Sequence, residues 1–129
     1  MRLLLYYDGK EYAKKILPVI KIRAKALKSK VHVVSSIYSW GEPSLGTLCG
    51  MRNDLNYLKD YLDKAKIPCR THVCMKWRNP GEYILEIAYK YNVAEIVVGT
   101  NKESKVAMYR HGWFINHVID WAKCPVLLV

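Results

Sequence analysis

The fold of this chain is decided by residues 2–38, which read RLLLYYDGKEYAKKILPVIKIRAKALKSKVHVVSSIY. The apolar run 2–7 ends in an Asp-Gly turn signal and predicts a buried strand. Helix formers with a recurring apolar face predict a helix over 11–29, in which Pro18 bends the helix without ending it. The β-branched run 31–38 predicts a second strand. Strand, helix and strand in this order form the unit of a parallel α/β sheet.

The rest of the chain continues the alternation. Periodicity and Gly or Pro signals predict a loop (39–50), a helix (50–66), a strand (69–76), a helix opened by Asn79 and Pro80 and ending near Tyr91, a strand (95–99), a loop (99–112), a helix (114–122) and a strand (124–129). Five short strands alternating with four helices predict an open parallel sheet with helices on both faces. We expect the strand order 3-2-1-4-5 and one domain over residues 1–129.

Composition and charge narrow the classes of protein. Of the 129 residues, 51% are hydrophobic, and only 7 are Gly and 5 are Pro, which indicates a folded domain. The net charge of +10 attracts phosphates or acidic surfaces, but the cations are spread along the chain, as on a solvated basic surface. The 10 Tyr and 4 Trp leave base stacking on a nucleic acid as an alternative. Against it, Tyr57, Tyr61, Tyr83 and Tyr91 fall in predicted helices, where partial burial is common.

Targeting signals and metal sites are not indicated. No apolar run approaches the roughly 18 residues of a membrane span, and the first one is too short for a signal peptide, so we expect a cytoplasmic protein. Cys49, Cys69, Cys74 and Cys124 form no Cys-x-x-Cys pair. His72 and Cys74 alternate onto the same face of a strand, but the spacing of four ligands is missing, so we expect no metal site.

The strand order predicts where a ligand binds. In open parallel sheets, ligands bind outside the carboxyl ends of the strands where the strand order reverses, here between strands one and four. This places Asp8 opposite the stretch GTNKESKVAMYRHGW, residues 99–113. Gly99 and Gly112 would let the backbone approach a phosphate, and the helix beginning at Phe114 would present free N–H groups. The plain alternative is that the two glycines only end a strand and permit a turn.

Five features in order carry a family resemblance. They are the opening strand with Asp8, the Ile16-Leu17-Pro18 helix, the helix start Asn79-Pro80-Gly81-Glu82, the glycine loop, and the ending Cys124-Pro-Val-Leu-Leu-Val129. Together they resemble the universal stress protein family over essentially the whole chain. The resemblance implies a small stress-response protein that binds ATP or a related adenine nucleotide, with Mg²⁺ only if ATP is bound.

The family loop is changed at two of its four defining positions. In nucleotide-binding members it reads Gly, two residues, Gly, nine residues, Gly, then Ser or Thr. Gly99 and Gly112 match the first and third glycines, whereas Lys102 and Trp113 replace the second glycine and the hydroxyl residue. The resemblance further implies contacts outside the loop: Asp8 on the adenine side, the Ser36 backbone at the adenine edge, and Val98 at the ribose.

The two replacements alter the phosphate site. If the second glycine position needs φ > 0, Lys102 adds strain on the order of 1 kcal/mol or more. Its ammonium either binds a phosphate or fills the space of one. Trp113 lacks the hydroxyl that would bond a phosphate oxygen or cap the helix. The loop nevertheless stays cationic, and its further candidate phosphate contacts are Lys105, Arg110 and His111.

Catalysis has little support in the sequence. His111 and Ser104 lie in one loop without an identifiable carboxylate to orient them. Residues 41–47 have a spacing like that of a P-loop but lack its lysine. We therefore expect no dedicated enzyme, although slow ATP hydrolysis is compatible with the sequence.

The last strand suggests a second function. Val126, Leu127, Leu128 and Val129 would form an apolar edge strand that pairs with another chain. Family members commonly dimerise through this strand, so the resemblance implies a homodimer. The alternative function is a member that does not bind nucleotide and acts as a homodimeric interaction module.

Overall fold

The computed structural model describes residues 1–7, 10–36, 45–75, 78–99 and 115–129. Strands and helices alternate along these residues, as predicted. Their bounds are β1 (Arg2–Tyr6), α1 (Lys10–Ala26), β2 (Lys30–Ser36), α2 (Leu45–Lys64), β3 (Cys69–Cys74), α3 (Pro80–Lys90), β4 (Glu95–Val98), the helical residues 115–121, named α4, and β5 (Val126–Leu128).

The five strands form one sheet in the order β3-β2-β1-β4-β5. Every neighbouring pair is parallel. The central strand is β1, in which Tyr6 is in register with Val34 of β2 on one side and with Val98 of β4 on the other. The predicted strand order is confirmed.

Helices cover both faces of the sheet. On β1, Leu3 and Leu5 point to the face covered by α1 and α2, whereas Leu4 and Tyr6 point to the face covered by α3 and α4. All four side chains are at most 3% exposed. Burying such a side chain stabilises the fold by about 1.5–3 kcal/mol. The predicted two-sided cover is confirmed.

Helix α1 runs through Pro18 without a break. Its buried face is formed by Ile16, Leu17, Ile20 and Ala24, while Pro18 lies on the exposed side. The proline removes one backbone hydrogen bond, but the helix is held by its packing on the sheet. The predicted continuation beyond the proline is confirmed.

Helix α2 begins earlier than the sequence predicted. Residues 45–50 were predicted as part of a loop, but they form the first turns of this helix. Gly46 and Gly50 suggested the loop, yet a glycine disfavours a helix by only about 1 kcal/mol relative to alanine and does not forbid it. Met51 and Leu55 are buried against the sheet and anchor the helix just beyond them. Residues 39–44 of the predicted loop lie outside the described ranges.

Four strands are shorter than predicted. They end or begin within two residues of the expected limits, as is usual for element boundaries. Strand β1 covers 2–6 and not 2–7, β3 covers 69–74 and not 69–76, β4 covers 95–98 and not 95–99, and β5 covers 126–128 and not 124–129.

Helices α1, α2 and α3 end with the same backbone geometry. Each is followed by a residue with positive φ, namely Lys28 (48°), Lys66 (60°) and Asn92 (49°). The next N–H then bonds to a carbonyl five residues back, as in the bonds from Ser29 to Ala24, Ile67 to Leu62 and Val93 to Ala88. This is the 6→1 bond of a Schellman motif, formed here without glycine.

Helix α3 begins with the predicted cap. The Asn79 side chain accepts hydrogen bonds from the backbone N–H groups of Gly81 (2.8 Å) and Glu82 (3.3 Å). Pro80 occupies the first helical position, where its missing N–H costs nothing. The carboxylate of Glu82 in the first turn faces the positive end of the helix dipole.

Two histidines on the neighbouring strands β2 and β3 form a pair. Nδ1 of His32 lies 3.0 Å from Nε2 of His72, and the His32 ring stacks on Tyr91 with centroids 4.1 Å apart. His32 is 1% exposed, and its Nε2 has no hydrogen-bond partner within the part of the chain that the structure describes. A proton on that atom would be an unsatisfied buried donor, so we place the shared proton on Nδ1, which donates to His72. The pair is neutral.

Protonation of this pair is unfavourable in the folded state. Burial first, and then the electrostatic effects of His72 and of nearby Lys and Arg side chains, lower the pKa of His32 from 6.5 to about 4. Burial, followed by neighbouring cations, also lowers the pKa of His72. At pH values between these lowered pKa values and the ordinary histidine pKa, the unfolded chain binds protons that the folded chain does not.

The helix cap gives the first prediction. Replacing Asn79 with Ala removes the acceptor for two free N–H groups, so the free energy of unfolding should fall by about 1 kcal/mol. Urea unfolding followed by circular dichroism measures this change. Asn79→Ser keeps a capping oxygen and should lose much less; equal losses in both variants would contradict the role of the cap.

The histidine pair gives the second prediction. The free energy of unfolding should decrease as the pH falls from about 6.5 towards about 4, because protons then favour the unfolded chain. Urea unfolding at a series of pH values measures the slope. His32→Phe keeps an aromatic stack on Tyr91 and should flatten this slope, whereas His117→Gln, which removes a histidine outside the pair, should not. A slope unchanged by His32→Phe would contradict the assignment.

Candidate functional site

The strand order reverses between β1 and β4. From β1 the chain passes to β2 and β3 on one side, and β4 and β5 lie on the other side. Helices α1 and α2 cover one face and α3 and α4 the opposite face, so α1, which follows β1 in the chain, and α4, which follows β4, lie on opposite faces of the sheet. In parallel sheets, such an arrangement opens a crevice at the carboxyl ends of the two strands. The predicted place of reversal is confirmed.

Three of the residues predicted for the nucleotide site lie in the described ranges. All three are at the carboxyl-end edge of the sheet. Ser36 ends β2 and is fully buried. Val98 ends β4 with 1% of its surface exposed, and Gly99, which follows it, is half-buried. The backbone from Val98 to Gly99 therefore leaves the core at the crevice.

The other predicted site residues lie outside the described ranges. They are Asp8, Lys102, Lys105, Arg110, His111, Gly112, Trp113 and Phe114. Their neighbours in sequence are placed, because Tyr7 and Gly99 end described segments at this edge and α4 is described from residue 115. The roles of these eight residues stay predictions.

Tyr7 lies beneath the end of β1 and was not predicted to belong to the site. Its side chain is 1% exposed, and its hydroxyl has no hydrogen-bond partner among the described residues. Burial first, and then the electrostatic effects of Asp54 and Tyr57, raise the pKa of Tyr7 to about 12. The phenol therefore stays neutral, directly before Asp8 in sequence. The run 2–7 marked Tyr7 only as a strand residue.

Ser36 contacts Cys74 on the neighbouring strand. The two residues are in register, and the Ser36 hydroxyl hydrogen-bonds to the thiol. The Cys74 sulfur also lies 3.6 Å from the Met75 carbonyl and 3.8 Å from that of Arg78. Burial raises the pKa of Cys74, against smaller opposing effects of Arg78 and Ser36. The side chain is thus a protonated thiol at the carboxyl end of β3, on the far side of β2 from the crevice.

The predicted face of His72 and Cys74 holds no metal centre. His72 bonds to His32, whereas Cys74 bonds to backbone carbonyls, so the two side chains have different partners. Among the residues that the structure describes, no three His, Cys, Asp or Glu side chains are arranged to hold a metal ion.

Strand β5 closes the β4 side of the sheet. Val126 and Leu127 are half-buried, and Leu128 is 46% exposed. The N–H of Val129 donates to the Val98 carbonyl at 3.0 Å. Within the described residues, β5 pairs with a strand only on its β4 side. The last residue of the chain is therefore bonded to the strand end that borders the crevice.

In the described part of the chain, no helix is both long enough and apolar enough to cross a membrane.

Comparisons with known proteins place the chain in a family. The sequence profile of the Universal stress protein family matches residues 1–129. No curated protein matches the chain in sequence.

Solved structures share the fold. A universal stress protein from Archaeoglobus fulgidus superimposes with a TM-score of 0.79 at 22% identity, over 99% of this chain and 97% of that one. The same kind of protein from Archaeoglobus fulgidus in complex with dAMP gives a TM-score of 0.76 at 21% identity, over 99% and 96% of the two chains.

A plant protein extends the comparison. A universal stress protein family protein from Arabidopsis thaliana with AMP bound gives a TM-score of 0.65 at 14% identity, over 100% of this chain and 90% of that one. At these identities the likeness establishes the fold alone, whereas the profile covers the whole sequence. This chain belongs to the universal stress protein family.

Proposed function

We propose that this chain binds an adenine nucleotide in the crevice at the carboxyl ends of β1 and β4. The observation that carries the proposal is the reversal of strand order there, with Val98 and Gly99 leaving the core at its border. Related structures with dAMP and AMP bound support an adenine nucleotide as the ligand class. The proposed role is that of a cytoplasmic stress-response protein.

The proposed contacts follow the family pattern. Asp8 would accept from the adenine amino group, the backbone at Ser36 would meet the adenine edge, and Val98 would contact the ribose. Ser36 is suited to a backbone role because its hydroxyl is already bonded to Cys74. Gly99 and Gly112 would bring backbone N–H groups close to the phosphates.

The phosphate end of the proposed site differs from the family pattern. Lys102 contributes a point charge where the family has a glycine backbone, and Trp113 contributes no hydroxyl. Lys105, Arg110 and His111 add attraction for phosphates without fixed geometry. Binding should therefore be conditional, with adenine and ribose contacts contributing more than the phosphates, and with Mg²⁺ entering only beside ATP.

The proposed activity is binding and not catalysis. Burial raises the pKa values of Cys69, to about 11, and of Cys74 and Cys124, so these thiols stay protonated at neutral pH. Phosphoryl transfer would need carboxylates that hold a metal near the phosphates, for which the sequence offers Asp8 and Glu103. We assign no catalytic residue.

A second candidate function is a homodimeric interaction module. It is favoured by the half-exposed apolar side chains of β5, whose outer edge has no strand partner within the described part of the sheet. A second copy of the chain could pair along Val126–Val129. This function could accompany nucleotide binding, since Val129 bonds to Val98.

Calorimetry tests nucleotide binding. Titration with ATP and AMP should give saturable heat with a Kd of about 1 mM or tighter, near −4 kcal/mol. Asp8→Asn should weaken the binding of both ligands, because it removes the proposed adenine contact. The double variant Lys102→Gly, Trp113→Ser restores the family pattern. It should tighten ATP binding roughly tenfold and change AMP binding less.

The matched control for the tryptophan change is Trp121→Ser, at an exposed position on α4. It should leave both titrations unchanged. No heat at millimolar ATP with either the natural chain or the double variant would overturn the proposed site. Heat with the double variant alone would show that the natural chain has lost nucleotide binding, which favours the second function.

Light scattering tests the homodimer. The natural chain should show twice the monomer mass at micromolar concentration, and Leu128→Lys should shift it to the monomer, because a charge on an edge strand opposes pairing. Ile119→Lys is the matched control, since Ile119 is 44% exposed against 46% for Leu128 but lies on α4. Monomer mass for the natural chain would contradict the dimer.

A further inference from the structure

The amino ends of β1, β2 and β3 carry cations that the described carboxylates do not neutralise. Arg2, Lys30 and Arg70 lie on these strands, and Lys90 is the last residue of α3. We name these four residues the amino-end cation cluster. Within the described ranges, no Asp or Glu lies within salt-bridge distance of any of them.

Three members of the cluster surround one ring. The Tyr91 ring centroid lies 5.7 Å from the Arg2 guanidinium carbon, 5.6 Å from that of Arg70 and 5.5 Å from the Lys90 nitrogen. Arg2 also donates to the Tyr91 carbonyl at 3.3 Å. Cations from three separate elements thus converge within about 6 Å of one point, the range of cation–π attraction.

The positive charges of the cluster act on the histidine pair beneath Tyr91. Arg2, Lys30 and Arg70 lower the pKa of His32, and Arg70, Lys90 and Lys30 lower that of His72, in both cases after burial. No acidic side chain contributes to either shift. The local potential is therefore positive.

The end of α3 does not offset this charge. A helix C-terminus is equivalent to roughly half a negative charge, which leaves more than three of the four positive charges uncompensated. Elsewhere, arginines near the sheet and α3 are paired: Arg23 forms two 2.5 Å bonds to Glu95, and Arg78 pairs with Glu86. The cluster is different, because its cations repel one another and none of the described Asp or Glu side chains pairs with them.

We propose that the amino-end cation cluster binds a small polyphosphate anion at a site separate from the nucleotide crevice. The guanidinium groups of Arg2 and Arg70 can each bond two phosphate oxygens, and Lys30 and Lys90 supply point charges. A di- or triphosphate carries enough charge to balance the three cations around the Tyr91 ring and much of the charge of Lys30. A nucleic-acid base cannot stack on the Tyr91 face that His32 occupies.

The site lies at the opposite end of the sheet from the crevice. His32 and Ser36 are four residues apart on β2, which corresponds to about 13 Å along the strand. The proposal therefore does not depend on nucleotide binding between β1 and β4. The anion could be free polyphosphate or the phosphate tail of a nucleotide.

The half-buried His72 gives a local signal of binding. A bound polyanion offsets the cations that act on this ring, so the pKa of His72 should rise when the site is filled. Nuclear magnetic resonance of the histidine ring nitrogens detects this change separately from events at the crevice.

The experiment is a titration of the full chain with sodium tripolyphosphate at constant ionic strength. The His72 ring signals should shift saturably, with a higher His72 pKa in the bound state. Arg70→Gln removes an exposed member of the cluster and should weaken binding at least about tenfold, whereas Arg52→Gln, an exposed arginine on α2, should change it less than about twofold. Lys90→Gln provides a second variant of the cluster.

Further arms identify the anion and separate the two sites. Shifts of His72 with ATP but not AMP would support recognition of a phosphate tail, and Asp8→Asn should leave the tripolyphosphate titration unchanged. The proposal is overturned if His72 shows no saturable shift, or if Arg52→Gln weakens binding as much as Arg70→Gln. It is also overturned if a single-stranded oligonucleotide gives the same shifts at lower concentration, which would indicate a nucleic-acid surface.

Discussion

The structure depends on the burial of β1 on both of its faces. Leu3 and Leu5 must be covered from one side, and Leu4 and Tyr6 from the other, so helices are needed on both faces of the sheet. Since β–α–β crossovers are right-handed, the chain reaches both faces only by extending the sheet first to one side of β1 and then to the other. The reversal of strand order, and with it the crevice, follows from the apolar residues of one strand.

The architecture could be predicted because its signals are local. Apolar runs, amphipathic faces and the Asn79-Pro80 helix start each act within a few residues, and the structure agrees with each of them. The start of α2 at Leu45 could not be predicted, since packing of later residues outweighs the propensity of two glycines. The positive φ at Lys28 and Lys66 could not be predicted either, because lysine is not a residue that indicates this conformation.

The position of the candidate site in the sheet could be predicted, but the residues and contacts that form it only in part. Ser36, Val98 and Gly99 lie at the expected edge because strand ends follow from the alternation of elements. The phosphate contacts rest on residues 100–114, for which the sequence supplies a pattern but not a conformation. The contact between His32 and His72 was missed because it depends on the register of two strands, forty residues apart in sequence. A histidine on the same face of each of two neighbouring strands, offset by two residues in register, is the signal that could have indicated it.

The polarity of the parallel sheet gives its two ends different chemistry. At the carboxyl ends, helix N-termini and glycine loops favour anions through backbone N–H groups, whereas at the amino ends attraction for anions has to come from side chains such as Arg2 and Arg70. The two ends also differ in their connection to the rest of the sheet. The Val98 carbonyl accepts from Val129, the residue after β5, so a ligand that orders the end of β4 would act on the bond that holds Val129. Pairing along the outer edge of β5 would act on the same bond from the other side, so this bond would link the proposed nucleotide binding to the proposed dimerisation.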